Sequence, residues 1–251
     1  MATFQPLAIS TFESLHAEIV SQEIKSLLRR REAIMGLLDG RVAIITGAGR
    51  GIGASAAKLF ASQGASVVVS DLDEGPANEV VDAIKKGGGK AFACAGNVME
   101  EATNDVLVKA AVDRFGGLHI IVPAAGFCND TVIQKMGLDV FRQMVQIHME
   151  APWMLCRAAY PVLKEGSKDG IIRKVVFISS EAGSRGNAGQ SNYGAAKGGV
   201  IGLMRAMAKE WLRIRVNCNC IAYGFVDTRL TQASSGDMIL GANIGMPGNI
   251  R

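Results

Sequence analysis

The stretch Thr46-Gly47-Ala48-Gly49-Arg50-Gly51-Ile52-Gly53 lies between the apolar run Val42–Thr46 and a run with helical periodicity. Glycines allow a tight turn and let backbone amides approach a ligand, and a helix N-terminus carries a partial positive charge. The pattern predicts a strand–loop–helix unit that binds the pyrophosphate of a dinucleotide. The spacing Gly-x-x-x-Gly-x-Gly differs from the general fingerprint, so a tight turn without a ligand is the alternative. The residues expected at the pyrophosphate are Gly47, Arg50, Gly51, Ile52 and Gly53.

Short apolar runs alternate with helical stretches along the rest of the chain. The predicted strands are Val42–Thr46, Ser66–Ser70, Ala91–Ala95, Ile120–Val122, Val175–Ser179 and Val216–Ala222. The predicted helices are Ile52–Ser62, Gly75–Lys86, Ala102–Phe115, Asp139–Leu163 and Tyr193–Leu212. This alternation predicts an α/β fold with a parallel sheet covered on both faces. Two such halves form the doubly wound, Rossmann-type architecture.

The composition excludes several classes of protein. The chain has 251 residues, 49% of them hydrophobic and 20% charged, which argues against long disordered regions. A formal net charge of +4 is too small to indicate a nucleic-acid partner. No apolar stretch approaches the roughly 18 residues of a membrane span. Five cysteines lack metal-ligand spacing, so we expect no metal site and a reducing, cytoplasmic location.

The first 34 residues differ from the rest of the chain. Ser10 and Glu13 form a capping-box pattern, and the apolar residues that follow predict an amphipathic helix ending at Arg29-Arg30-Arg31. We therefore expect residues 1–34 to form an N-terminal helical extension and residues 35–251 to form one dinucleotide-binding domain. A mitochondrial targeting segment is the alternative, although such segments are usually poor in acidic residues and this one contains several.

Asp71 bears on the identity of the dinucleotide. It ends the second predicted strand, 18 residues after Gly53. A carboxylate here can accept hydrogen bonds from the adenosine ribose hydroxyls and repels a 2′-phosphate. Arg50 has the opposite implication, because a cation beside the loop can bind a 2′-phosphate. We expect NAD(H) to be preferred, with NADP(H) as the alternative.

Ser180, Tyr193 and Lys197 form the candidate catalytic set. Tyr193 and Lys197 are four residues apart on a predicted helix and therefore share one face, and Ser180 ends the fifth strand. A tyrosine pKa near 10 is poorly matched to neutral pH, and a lysine ammonium within about 4–6 Å is expected to lower it. Ser180 can hydrogen-bond a carbonyl oxygen, and Tyr193 can exchange a proton with that oxygen. The alternative for the Tyr-x-x-x-Lys pattern alone is an ordinary helix face.

Together these motifs resemble the classical short-chain dehydrogenase/reductase family, from about Leu37 to Thr228. The pattern Gly186-Asn187-Ala188-Gly189-Gln190 before Tyr193 resembles β-ketoacyl-ACP reductases and their relatives. The resemblance implies an NAD(P)-dependent oxidoreductase. It also implies a homodimer or homotetramer formed through the predicted helices Asp139–Leu163 and Tyr193–Leu212. It also implies further nucleotide contacts, at Asn97, Val98, Ala124, Gly126, the Val226 backbone and Thr228.

The chain departs from the family pattern at several positions. Pro123-Ala124-Ala125-Gly126 replaces the family's Asn-Asn-Ala-Gly, which removes two side chains that support the central strands. His148 replaces the asparagine that is the fourth catalytic residue of the family, and we expect it to share that role. Tyr223 replaces a proline. Only 23 residues follow Thr228, so we expect the C-terminus to be short and to lack the last strand.

Three hypotheses for the function follow. The first is an enzyme that interconverts a ketone and a secondary alcohol, with a 3-oxoacyl thioester or similar small carbonyl compound as substrate. The second is an NAD-linked alcohol, sugar or steroid dehydrogenase. The third is a truncated, non-catalytic dinucleotide-binding protein, which the short C-terminus, Pro123 and His148 suggest and the intact Ser180, Tyr193 and Lys197 oppose.

Overall fold

The computed structural model describes residues 36–226. The predicted extension 1–34, Thr228 and the predicted absence of a last strand lie outside the described residues. The strands are β1 (Val42–Thr46), β2 (Ser66–Asp71), β3 (Lys90–Ala95), β4 (Ile120–Pro123), β5 (Arg173–Ser180) and β6 (Val216–Tyr223). The α-helices are α1 (Gly51–Ser62), α2 (Glu74–Lys86), α3 (Glu101–Phe115), α4 (Leu138–Val145), α5 (Ala151–Gly166), α6 (Glu181–Arg185) and α7 (Ser191–Glu210).

The six strands form one sheet in the order β3-β2-β1-β4-β5-β6, and all neighbouring strands are parallel. This is the doubly wound order, which confirms the predicted fold. The winding reverses between β1 and β4, so the connections diverge there. A crevice at the carboxyl ends of the strands results, and ligands bind at this place in open α/β sheets.

The core has two layers because both faces of the sheet are covered. Successive residues of β1 are buried and point to opposite faces, so Ile44 packs in one layer and Ile45 in the other. Small residues on α1, namely Ala54, Ala57 and Ala61, let this helix lie close to the sheet. The last residues of the glycine-rich loop, Gly51–Gly53, form the first turn of α1.

Pro123 is the last residue of β4 and pairs with Thr46 of β1. A proline at this end removes only the last amide donor of a central strand. The side chain of Thr46 links β1 to the segment after β4, because its hydroxyl oxygen accepts a hydrogen bond from the Ala125 amide at 3.1 Å. The two central strands thus remain joined at the edge where the candidate site lies.

The predicted helix Asp139–Leu163 is not continuous. A π-helical turn, Gln146–Glu150, separates α4 from α5. Pro152 lies at the start of α5 and has no N–H to donate to the carbonyl of His148 four residues earlier. Such a loss favours a local widening of the helix, and π-turns of this kind are frequent at functional sites. The widened turn places His148 in the interior.

Candidate active site

The glycine-rich loop has the geometry that the sequence predicts. Gly47 has φ +63°, and a Cβ there would lie 2.6 Å from the Cα of Ala125. A Cβ on Gly53 would collide with the carbonyl oxygen of Gly47. The loop therefore requires glycine at both positions, and its backbone amides lie at the N-terminus of α1. A phosphate group fits this arrangement, since backbone amides at a helix N-terminus can donate to it and the helix dipole favours an anion.

Asp71 lies at the end of β2, beside the loop. One carboxylate oxygen accepts a hydrogen bond from the Gly49 amide at 2.9 Å, and the other accepts from the Asp73 amide at 3.2 Å. Each oxygen keeps a lone pair for a further donor. Arg50, the residue after Gly49, forms an ion pair with Asp73 at 2.8 Å. The Asp73 pairing was not predicted from the sequence, because it depends on how the loop and the β2–α2 turn meet.

The other predicted nucleotide contacts also lie at carboxyl ends of strands. Asn97 and Val98 follow β3. The side-chain oxygen of Asn97 accepts a hydrogen bond from the Met99 amide at 3.1 Å. Ala124 and Gly126 follow β4, and Val226 follows β6. The structure therefore brings every described member of the predicted set to one edge of the sheet.

Ser180, Tyr193 and Lys197 converge at the same edge. Ser180 ends β5 and caps α6, where its Oγ accepts from the Ala182 amide at 3.2 Å. Tyr193 and Lys197 lie one turn apart on α7, and the Lys197 Nζ is 5.6 Å from the centre of the Tyr193 ring. The Lys197 ammonium is buried and donates to the Ile178 carbonyl of β5 at 2.8 Å. That bond ties α7 to the strand that carries Ser180.

The pKa of Tyr193 differs from the expectation. Burial raises the pKa of Tyr193 to about 12, while a hydrogen bond with Ser180 lowers it. Burial also lowers the pKa of Lys197 to about 8. Burial of the phenol therefore sets the direction of the shift at Tyr193, while the Lys197 ammonium donates to the Ile178 carbonyl. At neutral pH Tyr193 is therefore a protonated phenol and most of Lys197 remains charged.

His148 lies against Tyr193, with the two rings edge to face and their centres 4.9 Å apart. Its Nε2 lies 2.6 Å from the carbonyl oxygen of Phe127. Because a carbonyl can only accept, Nε2 carries the proton and Nδ1 is an acceptor. Burial, together with the nearby charge of Lys197, lowers the pKa of His148 to about 3. His148 is therefore a neutral imidazole that joins the π-turn to the loop after β4.

A polar network holds the segment before Tyr193. Gln190 donates to the carboxylate of Asp130 at 2.7 Å and accepts from the Asn187 side chain at 3.0 Å. The Asn192 side chain donates to the Asn129 carbonyl at 2.9 Å. The network links the loop after β4 to the start of α7. Gln190 belongs to the stretch quoted from the sequence, whereas no sequence signal distinguished Asp130.

Two further findings concern residues 36–226. Within this range, no cluster of three or more histidine, cysteine or acidic side chains is arranged to hold a metal ion. None of the helices in this part of the chain has the length and apolar character needed to cross a membrane.

Comparison with known proteins agrees with this geometry. The family model for short chain dehydrogenase matches residues 41–238. The chain belongs to the short-chain dehydrogenase family. It is 36% identical over 207 residues to a 3-oxoacyl-[acyl-carrier-protein] reductase of Synechocystis, covering 82% of each chain. It is 35% identical over 196 residues to a protein of the same name from Vibrio cholerae, with 78% coverage of each.

A solved structure is similar as well. A short chain dehydrogenase from Mycobacterium avium superposes with a TM-score of 0.72 at 37% identity, covering 74% of this chain and 71% of the other. These findings confirm the predicted family and the predicted enzyme class. The short-chain dehydrogenase is thus an oxidoreductase that uses a nicotinamide dinucleotide to interconvert C=O and CH–OH groups.

Proposed function

We propose that this short-chain dehydrogenase reduces a 3-oxoacyl thioester to the 3-hydroxyacyl thioester, or catalyses the reverse oxidation. The observation that carries the proposal is the convergence of Ser180, Tyr193 and Lys197 beside a glycine-rich loop. The names of the Synechocystis and Vibrio relatives support the choice of substrate class. When bound, the nicotinamide ring exchanges a hydride with the carbon of the reacting carbonyl.

Tyr193 acts as the acid in the direction of reduction. Its phenol is protonated at neutral pH, since its pKa is raised to about 12, and it donates this proton to the substrate oxygen as negative charge develops there. In oxidation the same oxygen atom of Tyr193 takes the proton from the alcohol. The Oγ of Ser180 accepts from Ala182, and the Ser180 hydroxyl, which bonds to Tyr193, can turn its hydrogen to the substrate oxygen and hold that oxygen in line.

Lys197 and His148 support Tyr193 from two sides. The Lys197 ammonium stabilises the phenolate form by its charge while it joins α7 to β5. His148 contacts the Tyr193 ring and holds the Phe127 carbonyl. A pKa of about 3 leaves His148 neutral across the physiological range, so we assign it a positioning role and not that of a proton carrier.

The predicted contact residues would hold the nucleotide at the carboxyl ends of the strands. The loop Gly47–Gly53 would bind the pyrophosphate, and Asp71 would accept hydrogen bonds from the adenosine ribose. Asn97 and Val98 would contact the adenine, and the resemblance to the family assigns contacts with the nicotinamide half to Ala124, Gly126, Val226 and Thr228. The unoccupied lone pairs of Asp71 and the pairing of Arg50 with Asp73 favour NAD(H) over NADP(H).

Two further parts of the proposal concern the oligomeric state and the location of the protein. We propose a homodimer or homotetramer, since α4 and α5 present exposed apolar side chains such as Leu138 and Trp153. All five cysteines are free thiols, which favours the cytoplasm.

A substrate comparison tests this function. The purified chain is incubated with NADH and, in turn, acetoacetyl-CoA, a ketose sugar and a cyclic ketone, and the loss of nicotinamide absorbance is followed. We expect the thioester to have the highest kcat/KM. A higher kcat/KM for the sugar or the cyclic ketone would assign the enzyme to the second class of substrates. Absence of turnover with every substrate, despite nucleotide binding, would support a non-catalytic protein.

A further inference from the structure

Two carboxylates, not one, border the ribose region of the proposed nucleotide site. Asp71 bonds to the amides of Gly49 and Asp73. Arg50 follows Gly49, and its guanidinium lies 2.8 Å from the carboxylate of Asp73. Arg50 and Asp73 are therefore both direct neighbours of the carboxylate that is proposed to bind the ribose hydroxyls.

Of the three charged side chains Arg50, Asp71 and Asp73, Arg50 is the cation, and it lies where it could bind a 2′-phosphate. Its surroundings are acidic, since Asp73, Asp71 and Glu79 all raise the pKa of the guanidinium. A 2′-phosphate carries between one and two negative charges at neutral pH. To bind it, Arg50 must leave Asp73, and the phosphate must then lie beside an unpaired carboxylate.

We propose that Asp73 is a determinant of nucleotide specificity, because it holds Arg50 in an ion pair and so withholds this cation from the 2′-phosphate of NADP(H). The inference rests on the proposed nucleotide site. It assigns to Asp73 a role separate from that of Asp71, which contacts the ribose directly. An exposed ion pair contributes little to folding, so its charge arrangement can affect ligand binding while leaving stability nearly unchanged.

The test is a pair of binding titrations on the full chain, with NADH and NADPH, followed by nicotinamide fluorescence. Asp73→Asn removes the charge and keeps a residue type that suits the N-terminus of α2. We expect the Kd for NADPH to fall about tenfold, which corresponds to about 1.4 kcal/mol. The Kd for NADH should change less than about twofold, because NADH has no 2′-phosphate.

Three further variants test whether Arg50 is responsible for the change in NADPH affinity. In the double variant Arg50→Met/Asp73→Asn, the gain in NADPH affinity should disappear, since no cation remains to bind the phosphate. The matched control Glu74→Gln removes a neighbouring negative charge that lies outside the ion pair, and should leave the ratio of the two Kd values unchanged. Asp73→Ser provides a second, shorter capping residue that cannot reach Arg50, and should reproduce the effect of Asp73→Asn.

Two outcomes would overturn the inference. An unchanged NADPH/NADH ratio in both Asp73 variants would show that Asp71 selects the nucleotide by itself. A gain in NADPH affinity that persists without Arg50, or an equal gain in Glu74→Gln, would show that general charge repulsion is responsible. Failure of the wild-type chain to bind either nucleotide would instead contradict the proposed function, and is distinguishable from the other two outcomes.

Discussion

At the scale of single residues, the site is governed by desolvation. Tyr193 and Lys197 are both moved toward their neutral forms by burial, with pKa values of about 12 and about 8. His148 is moved further, to about 3. A protonated phenol suits proton donation and therefore reduction, whereas oxidation requires the less populated phenolate.

The rates in the two directions should consequently depend differently on pH. Below its pKa, the phenolate fraction of Tyr193 increases about tenfold for each pH unit. We expect the rate of alcohol oxidation to rise steadily between about pH 6 and pH 9, and the rate of ketone reduction to change little over the lower part of that interval. Initial rates measured in both directions across this range provide the check. An oxidation rate that is flat with pH would contradict the role given to Tyr193.

Two substitutions distinguish a positioning role of His148 from a role as a proton carrier. His148→Asn keeps a donor for the Phe127 carbonyl, whereas His148→Leu leaves this carbonyl without its partner. We expect Asn to retain most of the turnover and the wild-type pH profile, and Leu to lose about 10–100-fold in kcat. If His148 instead carried a proton, both variants would lose activity alike and the pH profile would change in each.

At the scale of secondary-structure elements, close backbone contacts position the catalytic side chains. The short helix α6 crosses α7 at Gly183, where an added Cβ would lie 2.6 Å from the carbonyl carbon of Lys197. Neither α6 nor the π-turn was predicted. Hydrophobic periodicity does not reveal them, because α6 is a short helix capped by Ser180 and the π-turn is favoured by Pro152, which offers no amide donor to the preceding turn.

The contact at Gly183 leads to a prediction. Gly183→Ala should displace α7 and with it Tyr193, so we expect kcat to fall at least tenfold and stability to fall by about 1–3 kcal/mol. Gly202→Ala is the matched control. Gly202 lies on α7, and an added Cβ there meets nothing within 4 Å. Thermal unfolding and steady-state kinetics of the two variants would test this. Equal behaviour of the pair would argue against a positioning role for the α6–α7 contact.

At the scale of the whole molecule, the candidate site and a buried ion pair lie at opposite ends of the strands. The candidate site lies at the carboxyl ends, while the buried guanidinium of Arg173 lies at the amino end of β5. Arg173 donates to both carboxylate oxygens of Asp169, at 3.1 and 2.8 Å, and to the Leu118 carbonyl at 3.2 Å. The pKa of Asp169 is lowered to about 2, chiefly by this pairing.

Removal of this pairing should affect stability and leave the site intact. Arg173→Met is expected to lower stability by about 2 kcal/mol, or Tm by about 4–8 °C, and to leave the Kd for NADH unchanged. A carboxyl group with a depressed pKa stabilises the fold above its unfolded pKa, and this contribution is lost as the pH falls toward the folded value. The difference in Tm between wild type and Asp169→Asn should therefore shrink between about pH 4 and pH 2. A constant difference in that interval would contradict the assignment.

Periodicity and motif spacing predicted all six strands to within two residues at each end, since buried parallel strands are short apolar runs with clear boundaries. They also predicted the edge at which Ser180, Tyr193 and Lys197 meet, because a parallel sheet brings strand ends together. The partners of these residues could not be predicted in this way. The bond from Lys197 to the Ile178 carbonyl and the pairing of Arg50 with Asp73 join elements distant in sequence, and their geometry exists only in the folded chain.

The central claim is that Tyr193 is the proton donor and acceptor of a nucleotide-dependent oxidoreductase. Its most direct test compares wild type, Tyr193→Phe and the control Tyr160→Phe, whose ring is partly exposed on α5 and packs against Trp211. Turnover of acetoacetyl-CoA with NADH is measured together with the Kd for NADH. We predict that Tyr193→Phe loses about 10²–10⁴-fold in kcat with an almost unchanged Kd, and that Tyr160→Phe resembles wild type. Activity that survives in Tyr193→Phe would contradict the account.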